Sequence, residues 1–428
     1  MKVGIFGGTF DPIHKGHLAI ARAAKEQYGL DMVRIMPARI PPHKQNKGIT
    51  GDVHRLMMVT LALPVGEGIE LDLTEFEREG VSYTSDTLAL LHGRHPGDQL
   101  FCIIGEDSLR DFVTWHEPEK IASLATLLVA VRGSDEKGFQ ELLTERNRQF
   151  GGAFQALTVP YYDISSTEIR QAVRTETKPH PALVEATDAY IHRFGLYGCK
   201  PTAVRKETFK RYEELSTRLA GTISPHRLNH SKGVAFMSAN LMAEWLDSEG
   251  LLETPAGNRL VRKTLIAGLL HDCAKSLGSD ETLAYLKKHR VKLRDDVLPI
   301  EGIWHGPAGR VMARDRYGIR DAEMLRAIGN HCDGSMEMAE HPMEMAVFIA
   351  DFCEPFRDHI PTPPLPVIRQ IAREDAVYGS ETVTAATMYY LRAIGSQETD
   401  DMARIYQKLH KIRTSKKGKG WKAILRKQ

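Results

Sequence analysis

Residues 7–17 read GGTFDPIHKGH, and the interpretation of the first half of the chain depends on this string. It follows an apolar run at residues 3–6 and leads into a helical pattern at residues 18–28. Glycines at a strand end let backbone N–H groups approach a phosphate, and the next helix N-terminus adds a positive partial charge. His14 and His17 are three residues apart, so both can project from one face of the first turn. The string predicts a strand–turn–helix unit that binds a polyphosphate.

Short β-rich runs recur through the first 200 residues, at 33–36, 100–104 and 127–131, with helical segments between them. This alternation is typical of a parallel sheet with helices on both faces. Ligands of such sheets bind at the carboxyl ends of the strands. We therefore expect an α/β Rossmann-like fold for residues 1–199.

After about residue 202 few strand-like runs remain, and the second half has a helical pattern. The helical segments lie at residues 207–221, 231–249, 262–277, 281–289, 321–331, 342–352 and 381–394. Gly and Pro near residues 198–204 mark the change. The predicted organisation is multidomain, with an all-α domain at residues 200–400 and a basic C-terminal tail at residues 401–428.

The net charge of +2 over 428 residues conceals an asymmetry. Residues 408–428 hold nine Lys or Arg and no Asp or Glu, which leaves 48 basic against 55 acidic residues in the rest of the chain. An acidic body argues against a protein that coats nucleic acid. We expect the tail to be a solvated, frayed end, although it could contact an acidic partner.

Cysteine usage and hydropathy indicate a cytoplasmic protein. The five cysteines form no CxxC pair, which is typical of reduced thiols rather than a disulfide framework. The longest apolar-rich stretch, residues 121–131, is too short to span a bilayer. We expect no membrane partner, while a homo-oligomer stays compatible with the sequence.

Further strings accompany the first. They are PPHK at 41–44, RLMM at 55–58, SYTSDTL at 82–88, GEDS at 105–108, Trp115 and ISSTEIR at 164–170. Together they resemble the bacterial nicotinate-nucleotide adenylyltransferases over residues 1–199. Arg39 and Glu106 depart from that pattern, since the family more often has small residues there. The departures could alter the rim of the pocket.

The resemblance implies that the phosphate of nicotinate mononucleotide attacks the α-phosphate of ATP, which is bound with Mg²⁺, and that pyrophosphate leaves. The nucleophile is already ionised, so catalysis needs positioning and charge stabilisation rather than a general base. The implied catalytic residues are His14, His17, Lys44 and Arg170. Those implied to bind ATP are Gly7, Gly8, Thr9, Phe10, Gly105, Asp107, Ile164, Ser165, Ser166 and Thr167. Those implied to bind the mononucleotide are Pro42, His43, Arg55, Tyr83, Thr84, Asp86, Thr87 and Trp115.

Alternatives stay open for several of these residues. Taken alone, Trp115 could be a core residue, and Tyr83 and Thr84 could be plain strand residues. Ser165 and Glu168 also have the spacing of a helix capping box. The acceptor could instead be nicotinamide mononucleotide.

The second half carries scattered imidazoles and carboxylates. The candidate metal ligands are His230, His271, Asp272, His305, His331 and Asp351. Such ligands suit Fe, Mn, Zn, Ni or Co. A buried His–Asp pair at 271–272 could equally be a satisfied core pair. The order H…HD…H…H…D resembles the HD-domain metal phosphohydrolases.

Closer strings are HRLNHS at 226–231, LLHDCAK at 269–275, HGP at 305–307 and ADFCEPFR at 350–357. They resemble the bacterial HD-type symmetrical dinucleoside tetraphosphatases over about residues 205–395. That resemblance implies hydrolysis of diadenosine tetraphosphate to two ADP at two divalent ions, iron in the first place, with manganese or another metal as the alternative. One ion would be held by His230, His271, Asp272 and Asp351, and the other by Asp272, His305 and His331.

Asp272 and Lys275 would be catalytic, and Arg357 would contact substrate phosphate, with His226 and Arg227 as weaker candidates. Lys275 and Arg357 could instead form surface ion pairs. Cys332 and Asp333 stand where the family usually carries threonines, which leaves the substrate open. The all-α domain could therefore be a nucleotidase or phosphodiesterase of another substrate, or a nucleotide-binding regulator without turnover. His289, His341 and His359 are expected to be solvated.

Overall fold

The computed structural model describes residues 1–40, 48–78, 80–131, 136–159, 164–175, 179–357, 361–415, 422 and 425. The chain divides into two units. Met1–Ile191 with Tyr197–Cys199 forms one, and His192–Leu196 with Lys200–Gln428 forms the other. We refer to them as the N-terminal unit and the C-terminal unit.

The N-terminal unit contains one parallel sheet. Its strands in the described residues are β1 Lys2–Gly8, β2 Met32–Pro37, β3 Ile69–Leu71, β4 Gln99–Gly105, β5 Ala125–Ala130 and β6 Phe154–Leu157. They are ordered β3-β2-β1-β4-β5-β6, the doubly wound arrangement of a Rossmann fold. The strand order reverses between β1 and β4, whose carboxyl ends are both glycines. This confirms the predicted α/β class, although β3 and β6 were not predicted.

Helices cover this sheet. They are α1 Lys15–Tyr28, α2 Asp52–Ala62, α3 Thr84–Arg94, α4 Glu106–Asp111, α5 Pro118–Leu124, α6 Glu136–Gln149, α7 Ser166–Thr175 and α8 Glu185–Phe194. Val3 and Ile5 of β1 share a buried cluster with apolar residues of α3, α4, α5 and α6. Helix α1 packs against β1 and β2. Packing of β1 and of α1 therefore fixes both ends of the turn that joins them.

The described part of the C-terminal unit is helical beyond α8. Its helices are α9 Lys206–Ala220, α10 Pro225–Asp247, α11 Pro255–Leu270, α12 Ser279–Lys288, α13 His305–Asp315, α14 Ala322–Asn330, α15 Pro342–Cys353, α16 Leu365–Glu374, α17 Ala376–Ala393 and α18 Asp400–Thr414. Short 3-10 turns occupy Thr74–Phe76, Phe112–Thr114, Leu196–Gly198, Glu301–Ile303 and Met338–Glu340. This confirms the predicted all-α class. Every described helix is too short or too polar to cross a bilayer.

Helices α10, α11 and α17 begin well before their predicted starts because a capping signal was overlooked in each; for α17, which begins at 376 rather than 381, the cap is Asp375. Helix α10 begins at Pro225, not near residue 231, since the Ser224 hydroxyl accepts from the Arg227 N–H at 3.3 Å. His230 therefore lies in the second turn and does not open the helix. Thr254 caps α11 in the same way, so that helix spans 255–270 rather than 262–277.

Helices α13, α16 and α18 were not predicted. Glycine or proline in their first turns hid α13 and α16, and α18 is rich in charge. Helix α18 buries Met402, Ile405 and Leu409, which share one helical face. Residues 408–414 of the predicted frayed tail are thus helical, and His410 lies 2.8 Å from Glu381. Most residues after 415 lie outside the described residues.

Candidate functional site

The turn after β1 is packed closely around Gly8. Gly7 and Gly8 end β1, and Phe10 adopts a left-handed conformation with φ 48°. A Cβ atom on Gly8 would lie 2.9 Å from the Phe10 ring. The same ring packs edge to face on His17, with the centroids 5.1 Å apart. A side chain at position 8 would therefore disturb the turn and the histidine beside it.

The two histidines of the string meet at the N-terminus of α1. His14 is the N-cap, and its backbone N–H donates to Nδ1 of His17 at 3.2 Å. The ring centroids lie 3.7 Å apart. A helix N-terminus attracts anions through its backbone N–H groups and partial positive charge. The structure thus brings both imidazoles together at an end that favours phosphate.

Helix α7 is fixed to the same turn. The Ser166 hydroxyl donates to the carbonyl of Pro12 at 3.0 Å, and Nη1 of Arg170 donates to the carbonyl of Asp11 at 2.7 Å. Ser165 and Glu168 form the predicted capping box, with bonds of 2.8 and 3.2 Å. A second helix N-terminus therefore lies beside the first. Thr167 is exposed there, and Ile164 is half-buried just before the helix.

A cavity of about 630 Å³ opens beside this turn. Its lining includes Gly7, Gly8, Thr9, Ser82, Tyr83, Thr84, Thr87, Ser108, Trp115 and His116. Tyr83 precedes α3 and Thr84 begins it, so the N-terminus of α3 also borders the cavity. The structure thus places four of the predicted mononucleotide contacts, Tyr83, Thr84, Thr87 and Trp115, around one space that reaches the phosphate-binding turn.

His116 and Glu75 also line the cavity, and neither was predicted to be a site residue. The His116 ring lies on the Tyr83 ring, with centroids 4.4 Å apart and an interplanar angle of 35°. Glu75 accepts a hydrogen bond from the Thr87 hydroxyl at 3.2 Å, and burial raises the pKa of its carboxyl. The position of His116 next to Trp115 could have indicated the first residue. No sequence signal indicated Glu75.

Arg55, a predicted substrate contact, is buried beneath the turn after β1. Its side chain is only 1% exposed, and its guanidinium donates to the carbonyls of Thr9 at 3.0 Å, Ala38 at 2.7 Å and Thr50 at 3.1 Å. It also bonds to Asp52 at 2.6 Å. The side chain is not among the cavity lining. Arg55 therefore ties the turn after β1 to the segment after β2, and acts as a positioning residue.

Asp86, another predicted substrate contact, lies away from the cavity lining. It forms an ion pair with Arg78 at 2.8 Å and lines a separate surface depression with Glu77 and Arg94. Consecutive residues of a helix point about 100° apart, which separates Asp86 from its neighbour Thr87. Of the predicted ATP contacts, Gly105 ends β4 whereas Asp107 is exposed in the first turn of α4. Pro42, His43 and Lys44 lie outside the described residues.

The predicted metal ligands of the C-terminal unit come from five helical segments. His230 lies on α10, His271 and Asp272 directly follow α11, and His305 begins α13. His331 follows α14, and Asp351 lies on α15. Helix α10 packs on α11 and α15, and α14 packs on α11, α13 and α15. This packing brings residues more than 100 positions apart into one cluster.

A glycine sets the approach of the first two helices. A Cβ atom on Gly268 of α11 would lie 2.9 Å from Cα of Ala235 on α10, so a larger residue would push the helices apart. The carbonyl of Gly268 accepts a hydrogen bond from Nδ1 of His271 at 2.8 Å. The close contact thus also orients the His271 ring.

One subset of the cluster consists of His230, His271 and Asp351. Nε2 of His230 lies 3.1 Å from Nε2 of His271 and 3.0 Å from Oδ1 of Asp351. Nε2 of His271 lies 3.5 Å from the same Asp351 oxygen. Two ligands at about 2.1 Å from one ion and at right angles to each other are about 3 Å apart. The spacing therefore fits three ligands of a shared ion.

Asp272 joins this subset to a second one. Its Oδ1 lies 3.1 Å from Nε2 of His305 and 3.5 Å from Nε2 of His331. Those two nitrogens are 3.1 Å apart. Its Oδ2 lies 3.8 Å from Nε2 of His271 and 3.9 Å from Nε2 of His230. Asp272 has the geometry of a bridging carboxylate between two ion positions.

Outer hydrogen bonds orient the imidazoles. Nδ1 of His331 donates to the carbonyl of Ile328 at 2.8 Å, and Nδ1 of His230 donates to Oε1 of Glu354 at 3.1 Å. With Nδ1 held by an outer acceptor, Nε2 of each ring faces the cluster and can bind a metal once it is deprotonated. Glu354 is 1% exposed, and its other oxygen accepts from the Phe356 N–H at 2.7 Å. The role of Glu354 was not predicted, although it lies in a quoted string.

The charges of the cluster suit cations. Burial alone would raise the pKa of the Asp272 and Asp351 carboxyls, yet the surrounding imidazoles outweigh it and hold each pKa well below its usual range. Burial lowers the pKa of His230, but Asp351 and Glu354 outweigh it and raise that pKa to about 9. Burial also lowers the pKa of His271. Both carboxyls are therefore ionised.

Three cationic side chains surround these donors. Nζ of Lys275 lies 3.0 Å from Nδ1 of His305, Nη2 of Arg357 lies 3.0 Å from Oδ1 of Asp351, and Nη1 of Arg227 lies 3.5 Å from Oδ2 of Asp272. All three are half-buried, whereas His226 is exposed. They could contact phosphate oxygens at the cluster.

The two residues that follow His331 point in different directions. Sγ of Cys332 lies 3.3 Å from Nε2 of His305 and 3.4 Å from Nε2 of His331. Asp333 instead bonds to Arg294 at 2.6 Å. Cys332 was noted in the sequence only as a departure.

Sequence comparison assigns both halves to known groups. The model of the cytidylyltransferase-like family matches residues 5–172, and the HD-domain model matches residues 227–355. The chain is 39% identical to the nicotinate-nucleotide adenylyltransferase of Bacillus subtilis, over 46% of this chain and 98% of the relative. It is 41% identical to a probable enzyme of the same name from Thermomicrobium roseum, over 46% of this chain and 91% of the relative.

Among solved structures, a predicted HD superfamily hydrolase involved in NAD metabolism from Clostridium acetobutylicum is 25% identical. That match covers 46% of this chain and 96% of the other chain, with a TM-score of 0.40. The sequence relatives are covered almost completely. The chain therefore belongs to the nicotinate-nucleotide adenylyltransferase family and also contains an HD domain.

Proposed function

We propose that the N-terminal unit transfers the adenylyl group of ATP to nicotinate mononucleotide, a step of NAD biosynthesis. The observation that carries this proposal is one continuous space. It runs from the aromatic side chains of Tyr83 and Trp115 to the glycine turn on which His14 and His17 stand. The family membership supports the same assignment. We assign this activity to residues 1–199.

In this reaction a phosphate oxygen of the mononucleotide forms a bond to the α-phosphorus of ATP, and the bond from that phosphorus to the bridging oxygen breaks. Pyrophosphate takes the electron pair and leaves, with Mg²⁺ as its counterion. We assign the contacts to the ATP phosphates to Thr9, His14, His17, Ser166, Thr167 and Arg170. They stand at or beside two helix N-termini, where donors and partial positive charge stabilise the additional negative charge.

The acceptor ring would lie between Tyr83 and Trp115, near the N-terminus of α3. The partial positive charge of that helix end favours the carboxylate of nicotinate over the neutral amide of nicotinamide. The Thr84 side chain borders the same space. The proposal therefore includes a preference for nicotinate mononucleotide.

The test is a direct comparison of nicotinate and nicotinamide mononucleotides with ATP and Mg²⁺. We expect a higher kcat/KM for nicotinate mononucleotide and a raised KM for it in Trp115→Ala. Val113→Ala is a matched control, because Val113 is exposed and outside the cavity lining. Formation of no dinucleotide from either acceptor would overturn the proposal. Equal use of the two acceptors would overturn the stated preference alone.

A second candidate function follows from the cluster in residues 200–400. We propose that the HD domain is a phosphohydrolase that cleaves diadenosine tetraphosphate to two ADP. Two buried donor sets that share Asp272 support a dinuclear site. Two divalent ions held there would supply Lewis-acid polarisation of a phosphoryl oxygen and activation of an attacking water.

The residues of the chain would then position the substrate. Lys275, Arg227 and Arg357 surround the cluster with three positive charges, which suits a chain of four phosphates more than a monophosphate. The resemblance of the strings at 226–231, 269–275, 305–307 and 350–357 to the symmetrical tetraphosphatases supports cleavage into two ADP.

Product analysis separates this proposal from its alternatives. The full-length protein would be incubated with Fe²⁺ or Mn²⁺ and with diadenosine tetraphosphate, or in parallel with nucleoside monophosphates. We expect ADP as the only nucleotide product. AMP together with ATP would indicate asymmetric cleavage, and hydrolysis of a monophosphate alone would indicate a nucleotidase. Either result would overturn the substrate assignment, and metal binding without any turnover would make the domain a sensor.

A further inference from the structure

The thiol of Cys332 lies among metal-binding groups rather than in an apolar core. Its Sγ atom lies 3.3 Å from Nε2 of His305 and 3.4 Å from Nε2 of His331. These three side chains form one of the donor groups that could hold an ion. The position follows from local geometry, since His331 ends α14 and the next residue turns toward the first residue of α13.

The spacing matches that of the other proposed donors in the cluster. The two histidine nitrogens are 3.1 Å apart, and Oδ1 of Asp272 lies 3.1 Å from the first of them. A sulfur ligand stands slightly farther from a metal than a nitrogen ligand, about 2.3 Å against about 2.1 Å for zinc. Sulfur-to-nitrogen distances slightly above 3.1 Å are therefore expected when all donors face one ion.

Cys332 also differs from the other cysteines. Cys102, Cys199, Cys273 and Cys353 are buried, whereas Cys332 is half-buried. Within the described part of the chain, it is the cysteine that groups with histidine donors.

We propose that Cys332 supplies a thiolate ligand to the second ion position, beside His305, His331 and Asp272. This inference rests on the metal centre proposed above. A thiolate is a soft ligand, so the second position would favour Zn²⁺, Co²⁺ or Fe²⁺ over Mn²⁺ and Mg²⁺. The two positions then differ, because the first has only nitrogen and oxygen donors.

Cobalt reports directly on a sulfur ligand. The full-length protein would be stripped of metal and titrated with Co²⁺ while its near-ultraviolet absorption is recorded. We expect a sulfur-to-cobalt charge-transfer band in the wild-type protein and in the control Cys102→Ala, whose thiol lies in β4. The band should be absent in Cys332→Thr and Cys332→Ser.

Affinity gives an independent measurement. Loss of an outer-shell partner typically weakens metal binding by roughly 10–100-fold, so loss of a direct ligand should cost at least about tenfold for Zn²⁺ and Co²⁺. Mn²⁺ affinity should change less. In the wild-type protein, bound Co²⁺ should also protect one thiol from a thiol-specific reagent, which needs no substitution and is unaffected by any folding defect of the variants.

The outcomes separate this inference from the metal centre itself. If the protein binds two equivalents of cobalt without a charge-transfer band, or if the band persists in Cys332→Thr, the centre stands and Cys332 is not a ligand. If the protein binds no metal, the centre and this inference both fail. A band in the wild-type protein, lost in both Cys332 variants, would establish the ligand.

Discussion

The two candidate sites are built from different parts of the polypeptide. The N-terminal site uses glycine backbone and helix N-termini, and its residues occur in contiguous strings such as 7–17 and 164–170. The cluster of the HD domain uses single side chains from α10, α11, α13, α14 and α15. The proposed phosphate site thus relies on backbone geometry, whereas the proposed metal site relies on converging side-chain atoms.

This difference determines which substitutions should disrupt each site. The N-terminal site depends on a turn in which Gly8, Phe10 and His17 contact one another. The HD cluster depends on mutual neutralisation of buried groups, since histidines surround both carboxylates and outer acceptors orient His230, His271 and His331. Substitutions in one site should therefore leave the activity of the other site intact.

The largest expected effect is that of Asp272→Asn. Asp272 contacts both donor subsets, so its loss should release the ions. Because bound ions would stabilise the transition state by several kcal/mol, the hydrolysis rate should fall by about a thousandfold or more. Adenylyl transfer should be unchanged. Metal content and both activities would be measured in one preparation, with Asp280→Asn, an exposed residue of α12, as the control. Full hydrolysis by Asp272→Asn would show that the cluster is not the hydrolytic site.

The mirror experiment is His17→Ala. Loss of one positioned donor to developing charge typically lowers kcat by about 100–1000-fold, and we expect that loss in adenylyl transfer while hydrolysis is retained. His92→Ala on the exposed side of α3 serves as the control. The two rates and the unfolding transition would be measured for each variant. An unchanged transfer rate would remove His17 from the phosphate-binding machinery.

A smaller effect is expected from Glu354→Gln. The amide keeps the size of the side chain but has one acceptor oxygen instead of two, so it cannot accept from both Nδ1 of His230 and the Phe356 N–H. Metal affinity should therefore fall by roughly 10–100-fold. Glu323→Gln is a matched control, because Glu323 accepts from His341 at 2.8 Å outside the cluster. Isothermal titration with Co²⁺ would measure both. Equal affinities in the two variants would show that Glu354 does not orient the ligand.

The sequence predicted the N-terminal half in detail because its signals are local. A glycine turn, a capping box and an apolar run each act within a few residues, and the strands at 3–6, 33–36 and 100–104 lie inside β1, β2 and β4. The direction in which a long side chain points is not determined by its neighbours in the sequence. Arg55 occurs in a recognisable string, yet its contacts with Thr9 and Ala38 depend on how two strand ends meet.

In the HD half, the sequence predicted the clustered residues but not the contacts between helices. Its ligands were inferred from spaced single residues, and the structure brings all six together. The contributions of Glu354 and Cys332 could not be predicted, because each is a contact between helices that only packing creates. The helix starts at Pro225 and Pro255 were in principle readable, since each follows a Ser or Thr cap.

The smallest effect is expected at Asp86, which the sequence resemblance assigns to the mononucleotide site but which lies outside the cavity lining. Asp86 and Thr87 are neighbours in the same string, but Asp86 pairs with Arg78 at the surface whereas Thr87 is buried and lines the cavity. An exposed ion pair contributes about 0–1 kcal/mol, so Asp86→Ala should leave kcat/KM for nicotinate mononucleotide within about twofold. Thr87→Val keeps the shape but removes the hydroxyl bonded to Glu75, and should reduce kcat/KM more. If Asp86→Ala were the more damaging change, the sequence resemblance would have identified the acceptor site correctly. The ion pair between Asp86 and Arg78 would then have to open when the mononucleotide binds.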